Sequence, residues 1–203
     1  MSPIALRRAF SNVKWLTAED WAETKIRFER WRRQYLRPSR NRLVIRWKDL
    51  ENIVLVGHSY GGMVISGVAE QVASKIASIV YLDAFVPADG QSLVDLGGKA
   101  DAGPFTAPIP AATFAVNEAD RAWVDSKMTP QSTACFTEKV KLTGAYQRIA
   151  RKAYIRANKF AVFAKTQEKL RSDPSWKHWV VDCGHDIMID EPDELTSILV
   201  SLV

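Results

Sequence analysis

Two cysteines in 203 residues, Cys135 and Cys183, are too few for a disulfide framework, and their spacing matches no metal-ligand pattern. The reading therefore includes no metal. No apolar run approaches the roughly 18 residues that span a bilayer. The opening MSPIALRRAFSN carries arginines, but its apolar stretch is too short and interrupted for the core of a signal peptide. Together these absences predict no membrane association and a cytoplasmic protein. Internal repeats and low-complexity tracts are absent too. Glycine does not occur in the first 50 residues, which excludes any glycine-dependent tight loop from that quarter of the chain.

What is present is ordinary for a globular chain: 47% hydrophobic and 25% charged residues. The length suits one domain, or one with a small appendage, around a core of useful size. The net charge of +5 is unevenly spread, with about +8 in residues 1–50 and about −3 in the remainder. A basic first quarter is the usual footprint of nucleic-acid or acidic-surface binding. Here no Lys/Arg block reaches five in a row and no nucleic-acid motif accompanies it, so a solvated helix face is the better reading and nucleic acid is not an expected partner.

Thr17 and Asp20 resemble a capping arrangement, and TAEDWAETKIRFERWRRQYL then reads as a helix ending before Pro38. RPSRNR is a loop, and RLVIRW is either a strand or the end of a further helix. From residue 50 the pattern sharpens. Ile53-Val54-Leu55-Val56 is wholly apolar and mostly β-branched, as for a strand buried on both faces of a parallel sheet. MVISGVAEQVASK follows with Val64, Val68 and Val72 on one helical face. IASIVYLDAFV gives a second buried strand, Ala153-Tyr154-Ile155 a third and WKHWVVD a fourth. FAVFAKTQEKLRS and EPDELTSILVSLV read as helices. Residues 90–150 show only mixed helical patches. Strands alternating with helices predict an α/β fold with a mostly parallel sheet.

Between the first strand and the first helix stands Gly57-His58-Ser59-Tyr60-Gly61. G-x-S-x-G at a strand-to-helix turn is a nucleophile elbow: a turn so tight that side chains beside the serine would collide, and one that lifts the serine hydroxyl clear of the sheet. The helix N-terminus behind it favours developing negative charge. A simple glycine-rich βα turn is the alternative. His185 lies in a loop after a strand and before the last helix, and a neutral imidazole there has the right pKa to take and return the serine proton. His58 adjoins the nucleophile and His178 lies within a strand, so both read as packing or supporting residues.

IVLVGHSYGGMVISGVAE, IVYLDAFVPADGQS and CGHDIMIDEPDEL resemble the α/β-hydrolase superfamily. Within it they resemble small bacterial esterase-like hydrolases related to plant methylesterases and hydroxynitrile lyases. The resemblance covers about residues 46–203. It implies a cofactor-free serine hydrolase acting on small esters, with a cap inserted at about 90–150 and an atypical basic helical segment over 1–45. In chain order it implies Ser59 as nucleophile, an acid, and His185 as base. Such enzymes usually carry the acid after the strand preceding the histidine's strand, but AYIRANKFAVF offers no carboxylate there. Asp83, at the end of the second strand, is the substitute; the alternative is a structural aspartate holding backbone amides in DAFVPADG. Asp182 and Asp186 adjoin the histidine and are expected to point away from its ring.

The Tyr60 N–H is the expected first oxyanion donor. The second normally comes from a His-Gly loop, which a glycine-free lead-in cannot supply. His58, Phe85 and Trp123 are the expected substrate contacts, with Phe105, Phe114 and Phe136 as further aromatics of the cap. Losing the early strands would leave the nucleophile strand at a sheet edge, a route to a homo-oligomer. The expected function is a carboxylesterase-type serine hydrolase. The alternative is a catalytically impaired or non-catalytic remnant that binds a small ligand.

Overall fold

The computed structural model describes Ile45 and residues 47–203. The expected helix over residues 17–36 and the loop after it lie outside the described residues. Ile45 and Trp47 are helical, and Leu50 N–H donates to Ile45 O at 3.0 Å, so this part of RLVIRW closes a helix.

In chain order come β1 (Ile53–His58), α1 (Gly61–Val72), β2 (Ile76–Leu82), β3 (Phe105–Thr106), α2 (Glu118–Lys127) and β4 (Gln131–Ser132). They are followed by α3 (Ala134–Thr137), β5 (Arg151–Ala157), α4 (Ala164–Arg171), β6 (Trp176–Val181), α5 (Ile187–Asp190) and α6 (Pro192–Val200). The main sheet is parallel throughout, in the order β1-β2-β5-β6. Among the described residues β1 pairs on one side only, with β2.

Period-two alternation divides the strands between two apolar layers. Ile53, Leu55, Ile79, Tyr81 and Tyr154 face one layer, with Val68, Val72 and Trp176. Val54, Val56, Val80, Leu82, Ala153 and Ile155 face the other, where Ile187, Leu195, Ile198 and Leu202 pack. Burying each such Val, Leu or Ile is worth about 1.5–3 kcal/mol. The central β2 is buried along nearly its whole length, as its continuous apolar run demands, whereas Ile53–Val56 of β1, expected to be buried on both faces, is half-buried at the sheet's edge among the described residues. The tyrosines bring hydroxyls into this layer, and each finds a partner: Tyr81 Oη meets Ser66 Oγ at 2.7 Å, and Tyr154 Oη donates to Ala84 O at 2.8 Å.

The segment between β2 and β5 is built differently. Its elements are one three-turn helix (α2), the one-turn α3, the two-residue antiparallel pair β3–β4, and single turns over Val94–Leu96, Ala111–Phe114 and Tyr146–Arg148. Asn117 starts α2 by accepting from Asp120 N–H at 3.1 Å.

Candidate active site

β1 delivers the chain to Ser59 in a left-handed conformation, φ +54°, and α1 starts two residues later. A serine gains nothing from that region, so surrounding bonds hold it there. Ser59 N–H donates to Leu82 O (3.2 Å), and Ser59 O accepts from Gly62 N–H (3.1 Å) and Phe85 N–H (3.2 Å). The turn is thereby stitched to the end of β2. A Cβ on Gly57 would lie 2.6 Å from Gly61 O, and one on Gly62 only 2.0 Å from Phe85 O. At Gly61, the last glycine of the motif, an added Cβ meets nothing within 4 Å among the described residues. Close approach therefore requires Gly57 of the motif and Gly62 just after it, and the motif's second glycine, Gly61, is sterically free.

Asp83 follows β2, also left-handed at φ +41°, with its N–H donating to Ile155 O at 2.6 Å. Its carboxylate is 0% exposed. Oδ1 accepts from Ala157 N–H at 3.1 Å, and Oδ2 accepts from His185 Nδ1–H at 2.7 Å. His185 itself is 2% exposed. Donation from Nδ1 leaves Nε2 as the lone-pair nitrogen, the tautomer a general base needs.

The loop carrying His185 is fixed from both sides. His185 N–H donates to Phe114 O at 2.8 Å, and Gly184 N–H donates to Asp190 Oδ2 at 2.8 Å. Asp190 Oδ1 accepts from Asn117 N–H (3.1 Å) and Nδ2–H (2.8 Å), tying the loop to the segment before α2. His58, next to Ser59, donates from Nε2–H to His185 O at 3.1 Å, and the same nitrogen stands 3.6 Å from Asp186 Oδ1. Asp186 thus turns to His58, whereas Asp182 reaches Lys159.

Rings enclose the imidazole. Phe160 lies 4.6 Å from it between centroids, His58 4.4 Å, Phe114 5.2 Å and Phe163 5.6 Å, the last stacked at 21°. Phe85 meets Phe163 edge to face at 4.8 Å. Burial disfavours charge on the whole group. It lowers His185 to about 4 against the opposing pull of Asp186, and raises Asp83 to about 7 against the Ala157 N–H and the charge of Arg156. His58 falls to about 4 through burial and the neighbouring His185.

The structure thus gathers His58, Ser59, Tyr60, Asp83, Phe85 and His185 at the carboxyl edge of the sheet. Tyr60 N–H has no backbone acceptor among the described residues. Its ring reaches toward α3, where the hydroxyl faces the Cys135 thiol, and burial pushes both groups up. Trp123 is not among the gathered residues: it stands on α2, 56% exposed, and makes none of the ring contacts around His185. Phe105 is likewise exposed on β3, while Phe136 is buried. The segment expected to lack the second oxyanion donor lies almost wholly outside the described residues. Phe160 and Phe163 went unread as site residues, although their spacing of three at the start of a helical stretch puts them on one face.

The model of the alpha/beta hydrolase family matches residues 6–198. A carbendazim hydrolyzing esterase from Nocardioides sp. (strain SG-4G) is 39% identical over 179 residues, covering 76% of this chain and 73% of that one. An extracellular alpha/beta-hydrolase from a Paenibacillus species superposes with a TM-score of 0.67 at 24% identity, over 81% of this chain and 77% of that one. A methylesterase from Arabidopsis superposes with a TM-score of 0.59 at 17% identity, over 74% and 69%. The chain belongs to the alpha/beta hydrolase family and is an enzyme of its esterase type.

Proposed function

We propose that the protein cleaves small esters through an acyl-enzyme, with Ser59, His185 and Asp83 as its triad. The 2.7 Å contact between His185 and Asp83, buried beside the turn that presents Ser59, carries this reading. His185 Nε2 takes the proton as Ser59 Oγ attacks the ester carbonyl, and the Tyr60 N–H steadies the oxyanion. The tetrahedral intermediate collapses by breaking the bond to the alkoxy group, which leaves with the proton from His185. Water then attacks the acyl-enzyme by the same route in reverse, releasing the acid and restoring Ser59. Asp83 holds the imidazole in the productive tautomer and stabilises its transient charge. No cofactor takes part in this scheme.

Residues 90–150 act as the cap. Phe114, Phe160, Phe163 and Phe85 make the surroundings of the base flat-walled and apolar, which suits a planar aromatic ester or carbamate. Carbendazim, which the Nocardioides relative is named for hydrolysing, is the first such substrate to try. A fluorophosphonate probe should label the folded protein at Ser59 and fail to label Ser59→Ala. Hydrolysis of p-nitrophenyl acetate should vanish with it. Folded protein that takes up no label would instead mark a non-catalytic, ligand-binding remnant.

A further inference from the structure

Asp83 is the end of a longer hydrogen-bonded chain. Ala157, whose N–H meets Asp83 Oδ1, has its carbonyl on the following peptide held by Arg156 Nη1–H at 3.0 Å. The same guanidinium donates from Nε–H to Gln167 Oε1 at 3.0 Å and from Nη2–H to Asn158 Oδ1 at 3.1 Å. Gln167 is 4% exposed and is anchored in turn, its Nε2–H donating to Trp179 O at 3.0 Å. Three edges of one planar cation are thereby fixed around the residue that donates to a buried carboxylate, at the strand end where the sequence offers no acid.

We propose that Arg156 is a positioning residue that keeps Asp83 ionised and its donor peptide in place, and so sets the pH at which Ser59 becomes active. The inference rests on the triad reading above. The groups facing Asp83 are His185 on its loop, Tyr154 and Arg156 on β5, and Cys183 after β6; His58 and Asp186 face His185. Burial raises the Tyr154 hydroxyl and takes the Cys183 thiol up to about 12, so both stay neutral through the working range. Among these groups Arg156 is the permanent cation. It opposes the burial that drives Asp83 toward its protonated form. A protonated Asp83 would donate to His185 Nδ1 and leave Nε2 carrying the proton, unable to receive one from serine.

The test is the pH profile of kcat/KM from pH 5 to 9 for the parent, Arg156→Gln, Arg156→Lys and Asn158→Asp. Arg156→Gln should be about three- to tenfold less active than the parent at pH 7, recover by pH 9 and keep its KM. Arg156→Lys keeps the charge and should keep the parent's midpoint despite losing the planar fork. Asn158 is exposed, so Asn158→Asp folds readily and sets an anion against the same guanidinium; its midpoint should move in the alkaline direction by a smaller step. A uniform loss at every pH, or unmoved midpoints in Arg156→Gln and Asn158→Asp, overturns the proposal. Asp83→Asn separates the two layers of argument. If it keeps the parent's kcat, the triad reading falls; if it abolishes turnover while the Arg156 variants keep the parent's midpoint, this inference alone falls.

Discussion

Along the carboxyl edge of the sheet, successive strand ends are joined backbone to backbone. Ser59 N–H reaches Leu82 O, Asp83 N–H reaches Ile155 O, Asn158 N–H reaches Val181 O, and Lys159 N–H reaches Cys183 O. The cap adds carboxylates to such bonds. Glu70 of α1 accepts from the backbone of Thr143 (2.9 Å) and Ala145 (2.8 Å), Asp89 from Leu142 (2.8 Å) and Asp125 from Ala111 (2.7 Å). Asp190 does the same for Asn117. Both regions must satisfy every buried backbone donor. The edge does so mainly with backbone partners fixed by strand register, Asp83 Oδ1 on Ala157 N–H being its carboxylate, and the cap leans on side-chain carboxylates beside backbone bonds such as Phe114 O to His185 N–H. The strand-end pairings should therefore be indifferent to acid, and the seam at Glu70 sensitive to it.

The largest way to sharpen that contrast lies at the edge. In Asp83→Asn the new amide oxygen can still accept from Ala157 N–H, so the fold should persist while kcat drops by about 10³–10⁴. Retention of kcat to within a few-fold would show that this edge positions nothing catalytic. A second test sits where the two regions touch. A Cβ at Gly184 would lie 2.1 Å from Ala115 O, so Gly184→Ala must part the cap from the histidine loop. It should cost about 1–3 kcal/mol of stability and up to about 10² in kcat/KM. An unchanged melting temperature and rate would mean that the two regions are not held in register there.

The smallest effect is pH-dependent. Burial raises Glu70, but its bonds from Thr143 and Ala145 and the charge of Arg148 outweigh it, leaving the carboxyl below its ordinary 4.5. A group lowered by folding stabilises the protein above its unfolded value and loses that contribution as pH falls through the folded one. Below about pH 4.5, amide exchange over residues 142–145 should therefore quicken while β5, residues 151–157, stays protected. Simultaneous loss of protection in both would erase the contrast.

The same contrast explains what the sequence made legible. β1 and β2 announce themselves by continuous apolar runs and β5 and β6 by the shorter Ala153-Tyr154-Ile155 and Trp179-Val180-Val181, and the order of serine, aspartate and histidine follows from the chain. Asp83 could be named because AYIRANKFAVF has no carboxylate. The elements of the cap could not be read, since two-residue strands and single turns have no period. Nor could Arg156 or Gln167 be found: their meaning lies in bonds across β5, β6 and α4, which no spacing along the chain encodes. The motif itself also hid a distinction, between a glycine that another backbone excludes from bearing a side chain and one that it does not.

Ser59 and Asp83 share a left-handed backbone that neither residue type favours, at a cost of about 1–3 kcal/mol each. At Asp83 the carboxylate offsets that cost by holding Ala157 N–H and His185 Nδ1–H, whereas among the described residues no such side-chain bond offsets it at Ser59. Selection of variants for heat resistance, with no demand for turnover, would thus be drawn toward glycine at the proposed nucleophile.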